Sequence, residues 1–160
     1  MLKRVIAFAF CLPLFATGPL PITLVPVDEA GFQKLVNSHK GKVAVYDFWA
    51  TWCAPCRAEL PQLVKLEAKL RSQGVEVITI SADESEQKAA AEKFIQKFGV
   101  RGPAYLKQAA DDDHFINAID PKWSAALAAL FLYDKSGHKV RSFIGETDMA
   151  ALEAAIHKLL

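Results

Sequence analysis

The stretch VAVYDFWATWCAPCRAELP, residues 43–61, contains the pattern that decides the fold. Its first seven residues, 43–49, form an apolar run of strand length, and residues 54–71 have the apolar spacing of a long helix. Cys53 and Cys56 lie where the strand passes into the helix. A strand that leads directly into a helix is the repeating unit of α/β folds, so this stretch predicts that class.

The rest of the chain continues this alternation and predicts one α/β domain around a mixed sheet. Extended segments are predicted at 22–27, 75–81, 127–133 and 138–144, and helices at 29–39, 85–98 and 147–160. Asp83 or Ser85 is expected to cap the third of the four helices, and residues 134–137 indicate a hairpin turn. Residues 101–122 are the least regular, although the aspartates at 111–113 suit the start of a short helix.

The composition excludes several classes of protein. The chain has 160 residues, of which 52% are hydrophobic and 23% charged, which is typical of one packed domain and excludes disorder. Lysine and arginine total 19 against 18 acidic residues, and a net charge of +1 is too small to indicate a nucleic-acid-binding protein. Three cysteines are too few for a disulfide scaffold, so a cysteine pair here is expected to perform chemistry.

Residues 1–18 have the order of a secretory signal. Two basic residues precede an apolar run at 5–15, and Ala16-Thr17-Gly18 offers small residues for cleavage. An uncleaved membrane anchor is the alternative, because the next charged residue is Asp28, although prolines interrupt the stretch. We expect a signal peptide or anchor at 1–18, a domain at 19–160, and a bacterial periplasmic or otherwise extracytoplasmic location.

The spacing of Cys53 and Cys56 predicts a redox-active dithiol. At a helix N-terminus the Cys53 sulfur faces free backbone N–H groups and the positive end of the helix dipole, which stabilise its thiolate. Cys56 lies one turn further on and is expected to be more buried, and Pro55 suits the first turn. A structural disulfide would close a very short loop, and a zinc site would need a second pair of ligands, so we expect no metal.

Asp47 interrupts the apolar run six residues before Cys53. A carboxylate in a strand buried on both faces is costly, and burial raises its pKa. Such an acid can accept the proton of Cys56 while that thiol attacks, so Asp47 is a candidate catalytic residue. The alternative is a position at a sheet edge with access to water.

The segment from Asp47 to Pro61 resembles the active-site segment of exported thioredoxin-like proteins of the TlpA/ResA type. These include reductants of cytochrome c maturation, and the resemblance covers roughly residues 22–160. It implies a three-layer thioredoxin-like sandwich with a central mixed β-sheet flanked by helices, thiol–disulfide exchange with protein substrates, and no bound cofactor. It favours a reductant over an oxidant, which outside the cytosol would need a membrane electron donor. We expect a monomer that does not bind nucleic acid.

One position departs from the family pattern. The family has a cis-proline just before the late apolar strand, and Ala128 occupies its place here. A cis bond before alanine costs about 2.5–4 kcal/mol, so the bond between Leu127 and Ala128 is expected either to stay cis or to relax to trans. Substrate is expected to bind across Trp52, Ala54, Pro55 and this backbone. The departure keeps two alternatives open: a non-catalytic binding module, and an oxidoreductase impaired by Ala128.

Overall fold

The computed structural model describes residues 21–160, so the expected signal or anchor at 1–18 lies outside the described residues. The described part contains six strands and five helices: β1 Val25–Val27, α1 Glu29–Ser38, β2 Val43–Trp49, α2 Ala54–Leu70, β3 Val75–Ser81, α3 Lys88–Lys97, β4 Ala104–Lys107, α4 Asp112–Ile119, β5 Ala129–Tyr133, β6 Lys139–Ile144 and α5 Met149–His157. None of these helices is long and apolar enough to cross a membrane.

The six strands form one mixed sheet in the order β1-β4-β3-β2-β5-β6. Strands β1, β4, β3 and β2 are parallel to one another. Strand β5 runs antiparallel to β2, and β6 runs antiparallel to β5. All seven residues of the central strand β2 are buried. Because parallel strands end at the same edge of a sheet, the residues that follow β2 and β3 lie close together there.

The side chains of β2 alternate between two helix layers. Ala44, Tyr46 and Phe48 pack in one core with residues of α1 and α4. Val43 and Val45 pack on the opposite face against α2 and α5. Asp47 therefore points to the α2 side of the sheet, and the expected three-layer, thioredoxin-like sandwich is confirmed.

Residues 101–122 contain a strand, β4, that the sequence pattern did not predict. It has four residues, of which Ala104 and Leu106 are buried, and it pairs with β3 through Thr79 and Ala104. Four residues are too short a window for the period of two to stand out. The helix expected after it is confirmed, because the Asp111 carboxylate caps α4 by accepting a hydrogen bond from the N–H of His114 at 3.0 Å.

The start of α3 differs from the prediction that Asp83 or Ser85 caps it. A 3-10 turn, Ser85–Gln87, precedes α3, and the backbone N–H of Glu84 donates to the Gln87 side chain at 3.2 Å. The carboxylate of Asp83 instead binds the connection between β2 and α2.

Candidate active site

The cysteine pair lies where β2 passes into α2 through a tight turn. The N–H of Cys53 donates to the carbonyl of Ala50 at 3.1 Å and closes the turn of residues 50–53. Cys53 is the N-cap of α2, and its sulfur accepts a hydrogen bond from the N–H of Cys56 at 3.3 Å. Pro55 lies in the first turn, where its missing N–H costs nothing. The predicted position of the pair at the helix N-terminus is confirmed.

Cys53 and Cys56 are joined by a disulfide, and their Cα atoms are 5.4 Å apart. Both are buried, with 5% and 3% of their surface exposed, so the expected difference in burial is small in this oxidised form. Within residues 21–160, no group of three or more histidine, cysteine or acidic residues is placed to hold a metal ion.

The segment at the start of β5 packs against the cysteines. Ala128 is fully buried in the apolar cluster that contains both cysteines and Trp49, and Leu127 packs against the same cluster. The peptide bond between Leu127 and Ala128 is cis, which is the first of the two expected outcomes. The carbonyl of Ala128 accepts a hydrogen bond from the N–H of Gly145 at 2.8 Å, which ties this segment to the end of β6.

Three further residues expected to bind substrate lie on the surface beside the cysteines. Ala54 and Pro55 are exposed, and Trp52 has 64% of its surface exposed. A large indole displayed next to a buried disulfide suits contact with a protein chain, because tryptophan is enriched at protein interfaces.

Asp47 is buried on the α2 side of the sheet, with 2% of its surface exposed. No group among residues 21–160 donates a hydrogen bond to its Oδ2. Burial raises the pKa of Asp47 well above its ordinary value, and the negative charge of Glu59 raises it further. The expected burial is confirmed, and the alternative of a water-exposed sheet edge is excluded because β2 is a central strand.

Glu59, one turn beyond Cys56 on α2, was missed in the sequence analysis. It is 5% exposed, and one of its carboxyl oxygens has no hydrogen-bond partner within residues 21–160. Burial raises the pKa of Glu59, and the polar groups of Thr147 oppose this rise. Glu59 lines a crevice of about 240 Å³ together with Pro55 and Thr147. The apolar spacing of α2 could have placed it on the buried face of that helix.

Thr79 adds a third buried polar side chain on this side of the sheet. It lies beside Asp47 in the pairing of β2 with β3, and its hydroxyl has no hydrogen-bond partner in the described part of the chain. Buried polar groups are normally paired, so incompletely paired groups such as Asp47, Glu59 and Thr79 near one helix N-terminus mark a candidate functional site.

Replacing Asp47 by asparagine is expected to stabilise the oxidised protein at alkaline pH. Because burial raises the pKa of Asp47 in the folded state, the folded protein holds this proton more tightly than the unfolded chain. Stability therefore falls as the pH rises from the unfolded-state pKa of about 4 through the folded-state pKa. Asp47→Asn removes this loss and should raise the free energy of unfolding at pH 8 by about 1–3 kcal/mol, measured by urea denaturation.

Glu59→Gln is the matched control on the same side of the sheet. The pKa of Glu59 is also raised, but Thr147 opposes the rise, so Glu59→Gln should remove a smaller part of the pH dependence of stability. A stability profile of Asp47→Asn that runs parallel to that of the unmodified protein between pH 4 and 9 would contradict this account.

The Redoxin family model matches residues 21–156 of the chain. The chain belongs to the Redoxin family. Similar curated proteins include the thiol-disulfide oxidoreductase ResA of Bacillus thuringiensis (strain Al Hakam), 32% identical to this redoxin over 135 residues, which are 84% of this chain and 73% of that protein. The ResA of Geobacillus kaustophilus is 28% identical over 144 residues, 90% of this chain and 78% of that protein. With its Cys53–Cys56 pair at disulfide distance, this redoxin is a thiol-disulfide oxidoreductase of the ResA type.

Solved structures share the fold of this redoxin. A thiol:disulfide interchange protein of the thioredoxin family from Chlorobium tepidum TLS has a TM-score of 0.63 and 23% identity, with 77% of this chain and 83% of that chain covered. A secreted thiol-disulfide isomerase from Corynebacterium glutamicum has a TM-score of 0.67 and 20% identity, with 78% of this chain and 74% of that chain covered. These likenesses support the thioredoxin-like fold.

Proposed function

We propose that this redoxin is an exported reductant that reduces disulfides of protein substrates through Cys53 and Cys56. The position of Cys53 at the N-cap of α2 supports this, because the backbone N–H groups and dipole there favour a thiolate. The Cys53 thiolate attacks one sulfur of the substrate disulfide, and the other sulfur leaves as a thiolate. Cys56 then attacks the sulfur of Cys53, the substrate leaves as a dithiol, and the enzyme keeps the disulfide.

In its ionised form, the carboxylate of Asp47 accepts the proton that Cys56 loses in the second step. A raised pKa makes a carboxylate a stronger base, and burial and Glu59 both raise the pKa of Asp47. The side chain of Asp47 points to the α2 layer, between Val45, which packs on α2, and Trp49, which packs in the cluster of the cysteines. It is therefore a buried base on the face of the sheet that α2 covers, and Cys56 lies in the first turn of that helix.

The substrate chain lies across the surface formed by Trp52, Ala54 and Pro55 and along the backbone of Leu127 and Ala128. Trp52 before Cys53, and Ala54 and Pro55 after it, supply an exposed contact surface. The segment at 127–128 packs directly on the cysteine cluster. The resemblance to thioredoxin-like proteins implies that the backbone beside this position pairs with the substrate chain.

Export rests on the sequence of residues 1–18, with the domain at 19–160 soluble in the periplasm or tethered by an uncleaved anchor. The cytosolic reductants glutathione and thioredoxin do not reach that compartment. A membrane electron donor therefore restores the Cys53–Cys56 dithiol after each cycle.

The reduction potential of the Cys53–Cys56 pair tests the direction of the reaction. A reductant is expected to have a potential near that of thioredoxin, about −270 mV, whereas a strong oxidant such as DsbA lies near about −120 mV. Equilibration of the purified protein with glutathione or dithiothreitol, followed by thiol alkylation and mass analysis, measures it. A value close to the oxidant range would refute the reductant role and leave the oxidoreductase chemistry intact.

A further inference from the structure

Asp83 is a buried carboxylate that the mechanism above does not use. It lies two residues beyond the end of β3 and has 2% of its surface exposed. Its Oδ1 accepts hydrogen bonds from the hydroxyl of Thr51 at 2.6 Å and from the N–H of Thr51 at 3.1 Å. Its Oδ2 accepts from the same N–H at 3.0 Å and from the hydroxyl of Ser81 at 2.8 Å.

Thr51 is the second residue of the turn that delivers Cys53. The turn begins at Ala50, whose carbonyl accepts the N–H of Cys53, and its third residue is the exposed Trp52. The carboxylate of Asp83 therefore holds this turn through both hydrogen-bond donors of Thr51, its N–H and its hydroxyl. It does so from the end of β3, the strand that neighbours β2 in the sheet.

The carboxylate is itself fixed in place. Ser81 is fully buried, and its hydroxyl accepts the N–H of Asp83 at 3.1 Å while donating to Oδ2. The backbone also ties the two strand ends together, because the N–H of Ala82 donates to the carbonyl of Trp49 at 2.8 Å. Asp83 is thus a rigid anchor rather than a surface acid that happens to lie near the turn.

We propose that Asp83 is a positioning residue for thiol–disulfide exchange. By holding Thr51, it sets the orientation in which the turn presents the sulfur of Cys53 and the indole of Trp52 to a substrate. This inference rests on the proposed role of Cys53 as the attacking thiol. Positioning of this kind has large kinetic effects, because a displacement of about 1 Å at a reacting group costs about a hundredfold in rate.

The test compares Asp83→Asn with a matched carboxylate elsewhere in the fold. Asp83→Asn keeps the size of the side chain but replaces one acceptor oxygen by an amide that faces hydrogen-bond donors. Asp120→Asn is the control: Asp120 is 9% exposed and accepts hydrogen bonds from the N–H of Lys122 and the hydroxyl of Ser142, both at 3.0 Å. Unlike Asp83, it also forms an ion pair with Lys139 at 2.7 Å. Both variants are measured on the reduced, fully folded protein.

For Asp83→Asn, we expect kcat with a disulfide-containing peptide to fall about tenfold with little change in KM, and the alkylation rate of Cys53 by iodoacetamide to fall with it. Asp120→Asn should keep both kcat and the alkylation rate of Cys53, even if it loses as much free energy of unfolding as Asp83→Asn does. Thr51→Val removes only the hydrogen bond from the hydroxyl to Asp83 and should give a smaller fall in kcat. Thr51→Ser keeps both the hydroxyl and the N–H donor and should react at the rate of the unmodified protein.

An Asp83→Asn variant that reacts like the unmodified protein would overturn the inference, as would equal losses of rate in Asp83→Asn and Asp120→Asn. If Asp83→Asn does not fold, the comparison of Thr51→Val with Thr51→Ser decides in its place, and equal rates in these two would overturn the inference. The unmodified protein separates the two proposals: failure of its Cys53 to exchange with the peptide would refute the proposed function itself.

Discussion

Replacing Cys53 by serine is expected to reduce thiol–disulfide exchange to the background rate, a loss of at least about a thousandfold. Serine has nearly the same shape, but its hydroxyl does not ionise at neutral pH and does not form a disulfide. Cys56 alone does not substitute, because it lies within the first turn of α2 and not at the N-cap, where backbone N–H groups and the helix dipole favour a thiolate. The measurement is the initial rate of insulin reduction with dithiothreitol as electron donor.

Cys56→Ser is the matched variant, and it is mixed with the substrate disulfide in the absence of dithiothreitol. It keeps the attacking thiol but lacks the thiol that releases the product, so each molecule should react once and remain linked to its substrate. These adducts should appear on non-reducing gels and disappear with dithiothreitol. Cys56→Ser that forms no adducts while its Cys53 is readily alkylated would contradict the order of the two steps, as would Cys53→Ser that keeps measurable exchange.

Asp47→Asn is expected to slow release of the reduced substrate about a hundredfold at pH 7, since a positioned general base contributes about that much or more. Asparagine fits the same buried space on β2 but accepts no proton from Cys56. The first attack by Cys53 should be little affected, so the mixed disulfide should accumulate transiently. Rapid acid quenching at a series of times, followed by mass analysis, resolves the two steps.

The control is Glu59→Gln, which leaves Asp47 in place and removes the charge that helps to raise its pKa. It should slow release less than Asp47→Asn does. A release rate in Asp47→Asn equal to that of the unmodified protein would remove Asp47 from the mechanism. Asp47→Asn is thus expected to be more stable at alkaline pH and slower in catalysis than the unmodified protein. This trade-off is typical of polar groups held in active sites.

The parts of the fold with strong local patterns were predictable. The bounds of β2 and β3 were predicted to the residue, because β2 is a largely apolar run, β3 is rich in β-branched residues, and each follows a short polar or glycine-containing segment. The start of α2 followed from the cysteines and Pro55. The short strand β4 was missed because its four residues carry too little pattern, and its pairing with β1 and β3 depends on the whole sheet.

The polar residues around the cysteines were predictable only in part. Asp47 stood out because it interrupts an apolar run, whereas Glu59 is one of two acids on a helix, where carboxylates normally face solvent. Asp83 was expected to cap a helix, which is the local role of an aspartate before a helical segment. Its actual partner, Thr51, lies 32 residues away in the chain, and only the parallel pairing of β2 and β3 brings the two together.

The two outer strands of the sheet bear on whether this protein pairs with other chains. β1 has three residues with Pro26 in the middle, which lacks an N–H for a further ladder, and β6 carries Lys139 and Arg141. Proline and charge on outer strands discourage self-association and amyloid-like stacking. The sheet of this redoxin can thus meet a substrate chain at the cysteine pair without adding that chain to its outer strands.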